Sequence, residues 1–91
     1  MSMEELQGQL AACFNIGDAA SQQSAQTAYQ YTDMLKSGQI SKEEYTELMA
    51  DIARTNEINK SVANVQLMEY MNTAINGLIN LASMILCQTL F

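Results

Sequence analysis

Few side chains in this 91-residue chain can do chemistry, and their placement limits what they do. Two thiols, Cys13 and Cys87, stand near opposite ends, and the chain contains no histidine to take a proton from either. A nucleophilic cysteine needs such a base, so both read as small buried hydrophobes in a reducing compartment, with a disulfide as the alternative. Carboxylates gather once, at Glu43, Glu44, Glu47 and Asp51. Such groups hold a metal or share a proton when buried or joined by histidine. The four therefore read as a solvated face that also complements a helix N-terminus, or as an acidic docking face for a basic partner. Asp33, Gly38, Ile40, Ser41 and Glu44 also fall at the first, sixth, eighth, ninth and twelfth places of a calcium-binding loop. Calcium needs oxygens at the third and fifth places too, and Leu35 at the third offers none. No Ser-His-Asp or Cys-His set, phosphate-cradling glycine loop or zinc ligand pair can be drawn. The expectation is a protein without catalytic residues, cofactor or metal, and not an enzyme.

The elements that would position these groups are helical. Proline is absent, glycine occurs only four times, and the apolar share of 48% speaks for a folded chain despite a net charge of −6. A chain of this size buries roughly 60–65% of its unfolded surface, so its own core is marginal unless a partner adds to it. Met3, Leu6, Leu10, Cys13 and Phe14 recur at helical spacing and predict a short helix over 3–15, ending before Gly17. A helix over 18–37 follows, its seam of Ser21, Ala25, Ala28, Thr32 and Leu35 small enough for another helix to come close. In the segment LKSGQISKEEY, Gly38 can end that helix in the left-handed conformation. Ser41 and Glu44 form a capping box, flanked by Ile40 and Tyr45 at the staple positions. A last helix is predicted over 42–86, bent or broken near 55–60, where the apolar rhythm weakens. The fold expected is one all-α domain over residues 1–91, a hairpin or bundle of three to four helices.

The C-terminal third is the most distinctive part. After Glu69 no charged side chain occurs. Leu67, Met71, Ala74, Leu78, Leu81 and Ile85 form one apolar row, and Val65, Met68, Ile75, Ile79, Ala82 and Leu86 a second, interrupted by Asn72. Glu69, Thr73, Asn76, Asn80 and Ser83 form a polar row. Two adjacent apolar rows are wider than a dimeric coiled-coil seam, and the small side chains of the first half offer little to cover them. The expectation is therefore an oligomer interface built from Val65, Met68, Met71, Asn72, Ile75, Leu78, Ile79, Ala82, Ile85 and Leu86, with Asn72 paired across it.

The charge pattern narrows the partners. Four basic residues, Lys36, Lys42, Arg54 and Lys60, stand against ten acidic ones and never cluster, so nucleic acid and anionic membrane surfaces are not expected. The acidic start, Glu4 and Glu5, does not read as a secretory signal. The polar side of the C-terminal stretch argues against a membrane span, although it could line a pore among copies.

The segment LKSGQISKEEYTELMADI resembles the short C-terminal domain, a helical hairpin at the ends of many bacterial and phage proteins, which implies an oligomerisation or interaction element. The Ala/Ser/Gln-rich first half, the acidic turn helix and the run TAINGLINLASMI resemble the small helical structural proteins of tailed bacteriophages. That resemblance implies a virion component or a protein of the bacterial host cytoplasm. The leading expectation is a non-enzymatic assembly protein acting through helix–helix oligomerisation, partnered by itself or by larger structural proteins, with no small-molecule substrate. The alternatives are a small acidic regulator using Glu43, Glu44, Glu47 and Asp51, and a membrane-active ejected helical protein.

Overall fold

Four helices follow one another, α1 (Met3–Ala12), α2 (Ala19–Lys36), α3 (Lys42–Asn59) and α4 (Val65–Thr89). The computed structural model describes residues 3–14, 19–59 and 65–89, the last five of these by backbone alone. Each helix packs on the next, α4 closes the ring against α1, and α2 and α4 also meet across the centre. The chain runs up and down: Gln7 lies against Asp33, Thr32 against Tyr45, and Asn56 against Asn72. The result is an all-α bundle measuring 44 × 21 × 21 Å, with no strand among the described residues.

The sequence of α2 explains how α4 reaches the centre. The buried side of α2 is Ser21, Ala25, Ala28 and Thr32, all small. The same core contains Met68, Met71, Ile75 and Leu78 of α4, each fully buried, together with Tyr45 and Met49 of α3. Tyr45 contributes the largest buried ring, and its hydroxyl lies 2.8 Å from the Thr32 hydroxyl, which in turn donates to the Ala28 carbonyl. A buried phenol without such a partner would cost a few kcal/mol. On the other side of α4, Gly77 admits Leu6 of α1: a Cβ at Gly77 would lie 3.0 Å from Leu6 Cδ1.

The turn between α2 and α3 is the one its sequence predicts. Gly38 has φ of +80°. The Gln39 amide donates to the Met34 carbonyl at 2.8 Å and the Gly38 amide to Leu35 at 3.1 Å, the paired bonds of a Schellman end. The Glu44 amide donates to Ser41 Oγ at 3.1 Å, and the Ser41 amide to Glu44 Oε1 at 3.4 Å, completing the box. Gly38→Val should lower stability by ~1–2 kcal/mol through strain at positive φ, and Ser41→Ala by ~1 kcal/mol through the lost cap. Urea titration of both variants checks this; unchanged midpoints would contradict a helix boundary here.

Two expected boundaries change. The first helix closes at Ala12 rather than 15, with Cys13 and Phe14 in a tight turn whose amides donate to the Leu10 and Ala11 carbonyls. Of the two forms open for 42–86, bent or broken, the structure has the broken one, with α3 helical through Asn59, α4 beginning at Val65, and the two packed side by side. Residues 60–64, between the two helices, lie outside the described residues. The reason is packing, since the apolar side of α3 and that of α4 cover each other only if the chain reverses.

Candidate functional site: the outer face of the fourth helix

The two apolar rows of α4 turn inward. Of the ten residues expected to meet another subunit, Met68, Met71, Ile75, Leu78 and Ala82 are buried by this chain's own helices, and Ile79 is half-buried against them. Val65 is exposed, and the side chains of Ile85 and Leu86 lie outside the described residues. Asn72 pairs within the chain as well. It accepts from Asn56 Nδ2 at 2.9 Å, and its own amide donates to the Ala53 carbonyl at 3.2 Å and to Glu57 Oε1 at 3.3 Å. The register expected across a subunit interface is set between α3 and α4 instead. The cover missing from the sequence reading comes from the short helix α1, from Tyr45 and Met49, and from the close approach of α2.

What α4 leaves free is its outer side. Tyr70, Thr73, Asn76, Asn80 and Met84 are all exposed, with Ser83 partly so. Tyr70 is 46% and Met84 57% exposed, which is high for large apolar side chains. The Thr73 hydroxyl donates back to the Glu69 carbonyl at 2.9 Å. From Tyr70 to Met84 this face spans four helical turns without a charge. An ordinary solvated helix carries lysine and glutamate on such a face.

The acidic residues lie at the surface, as both the solvated reading and the docking reading require. Glu43, Glu44, Glu47 and Asp51 are exposed along the outer side of α3. Glu44 is engaged in the cap, and Asp51 pairs with Arg54 one turn on. Thr46, Glu47, Ala50, Asp51 and Arg54 line an open, shallow depression there. The calcium-loop residues are drawn into other contacts: Asp33 Oδ1 accepts from Gln7 Nε2 at 3.0 Å, and Ser41 and Glu44 bond each other. Among the described residues no three potential ligands converge on one point.

Cys13 is buried and its thiol donates to the Gln9 carbonyl at 3.4 Å. Burial pushes its pKa up, away from the reactive thiolate. The side chain of Cys87 lies outside the described residues. Among the described residues no helix is long and apolar enough to cross a membrane.

No protein-family model matches the chain, and no curated protein or solved structure matches it either.

The sequence reading ranked the faces of α4 by apolarity, and most of the residues it chose are the ones buried within the chain. The signal that finds the outer face is the missing charge, visible in the sequence once Tyr70 and Met84 are set beside the row Thr73, Asn76 and Asn80.

Proposed function

We propose that the chain is a non-catalytic assembly module that associates through the outer face of α4, with further copies of itself and with larger structural proteins. The observation that carries this reading is the exposed, uncharged strip from Tyr70 to Met84. Interfaces are depleted of charge at their centres and enriched in tyrosine and methionine, while side-chain amides supply directional hydrogen bonds. Tyr70 and Met84 provide the two anchors, and Asn76 and Asn80 lie between them. The strip is roughly 22 Å long and 10 Å wide, smaller than a standard interface of about 800 Å2 per partner. One such contact is weak, and many copies side by side make it strong. A particle of repeated subunits supplies that setting. With the resemblance in composition to tailed-phage structural proteins, this supports a virion component as the biological context.

Light scattering on the wild-type protein over a concentration series tests the association. The mass should rise above the 10.1 kDa of one chain as the concentration approaches millimolar. A constant 10.1 kDa throughout would contradict the proposal. A second reading, an acidic regulator, rests on the exposure of Glu43, Glu47 and Asp51. It requires instead a basic partner whose binding weakens steeply with salt.

A further inference from the structure

We propose that Asn76–Gly77 is a self-modification site, closed in the folded chain and opened by unfolding, at which the Asn76 side-chain amide is lost as ammonia. The reaction takes place within one chain, with water as its only co-reactant, and does not depend on the α4 strip being an interface.

Asn76 and Gly77 form the one Asn-Gly pair in the sequence. In an open chain the Gly77 backbone nitrogen attacks Cγ of Asn76. A new C–N bond forms, the Cγ–Nδ2 bond breaks, and the side-chain nitrogen leaves as ammonia with the proton given up by the Gly77 nitrogen. The product is a five-membered cyclic imide. Water then opens one or other carbonyl of the ring, giving aspartate or isoaspartate, in which the main chain runs through Cβ and Cγ. Nothing is oxidised or reduced. Glycine in the second place favours ring closure, because without a Cβ its nitrogen is unhindered and its backbone turns freely.

The fold puts this pair where it cannot react. It stands near the middle of α4 (Val65–Thr89), where helical dihedrals direct the Gly77 amide along the axis to the Thr73 carbonyl and away from the Asn76 side chain. Asn76 is exposed, so water reaches it and only the backbone holds the reaction off. Fraying from the helix ends does not release that backbone. Ala74, Ile75 and Leu78 beside the pair are fully buried, and Gly77 lies under Leu6 of α1. The same contact explains the glycine: a Cβ there would lie 3.0 Å from Leu6 Cδ1, so packing on α1 calls for the residue that makes the preceding asparagine reactive. Opening is therefore that of the whole bundle, and the rate in water is that of the open chain multiplied by the unfolded fraction. Aspartate adds a charge at an exposed position and lets α4 reform. Isoaspartate lengthens the main chain between Ile75 and Leu78 and breaks the helical register between them. Copies that spend time unfolded are thus marked irreversibly.

Peptide mapping by mass spectrometry tests this on dilute full-length protein, incubated in buffer and in guanidinium at the same pH. In guanidinium Asn76 should be lost well before Asn72 and Asn80, which precede Thr73 and Leu81. Equal loss at the three overturns the proposal. In buffer the loss should be slower by about a thousandfold or more. A rate in buffer close to that in guanidinium overturns closure by the fold. Gly38→Val weakens the fold from a turn outside α4, and should raise the rate in buffer about tenfold. An unchanged rate in that variant, with its urea midpoint lowered, overturns gating by unfolding of the whole bundle. After removal of guanidinium the aspartyl product should refold and the isoaspartyl product should not; wild-type urea midpoints for both overturn the marking. None of these outcomes bears on the α4 strip, whose test is mass against concentration.

Discussion

Leu78→Asp abolishes cooperative folding of the bundle, while Asn80→Asp, two residues on, leaves it within about 0.5 kcal/mol of the wild type. Leu78 is fully buried and Asn80 exposed. Losing a buried leucine costs ~2–3 kcal/mol of transfer free energy, and placing a carboxylate among Met71, Ile75 and Ala82 adds several more. A chain of this length has a total stability of roughly 5–14 kcal/mol, so the two terms together consume most of it. Far-UV circular dichroism with urea titration reads the outcome. A folded Leu78→Asp protein would mean that Leu78 faces solvent in the free chain, and that the inward placement of both apolar rows is wrong.

The second large effect is alkaline. Tyr45 is fully enclosed, and loss of water around its phenol pushes its pKa up to about 12 from 10.0, with the Thr32 hydrogen bond acting in the opposite direction. Between those two values the unfolded chain releases the proton and the folded chain holds it. The unfolded state then binds fewer protons, so stability falls as pH rises through this window. The contribution is fully present below about 10 and is lost by about 12. Its size is on the order of 2 kcal/mol. Tyr45→Phe keeps the ring in place and cannot ionise. It should cost ~1 kcal/mol near neutrality, through the lost hydroxyl contact with Thr32, and show a shallower loss of stability above ~pH 10. Urea midpoints for the two proteins, compared at ~pH 9 and ~pH 11.5, isolate the residue, because every other alkaline group is common to both. Parallel losses would contradict burial of the phenol.

How much could be read in advance depends on how far apart the cooperating residues lie. The Gly38 turn and the Ser41–Glu44 box are contained within ten residues, and their geometry follows from local backbone chemistry. The all-helical composition and the small-residue seam of α2 were likewise local. Pairings across long stretches of chain were not. Tyr45 was legible only as a staple beside Ile40, whereas its partner Thr32 sits on the preceding helix. Asn56 belonged to a stretch where the rhythm weakens, yet it is fully buried because Asn72, sixteen residues on, receives its amide. Buried asparagines look like breaks in a pattern until the partner is placed, and two of them on facing helices were taken for a weak spot and an external contact. Gln7 is a further case of distant pairing: a polar residue on a short helix, it is held by Asp33 and Lys36 more than twenty residues later. The candidate surface was visible as missing charge after Glu69, but only the inward turn of the apolar rows shows which side of α4 is exposed.

Sedimentation equilibrium on matched surface variants tests the α4 strip most directly. Asn76→Lys with Asn80→Lys places two charges on the exposed strip and touches nothing buried. Glu47→Gln with Asp51→Gln removes two charges from the outer side of α3. The expected result is that the lysine variant stays at the 10.1 kDa monomer mass at concentrations where the wild type associates, while the glutamine variant associates like the wild type. Association of the lysine variant at wild-type strength would contradict the assignment of the α4 outer face.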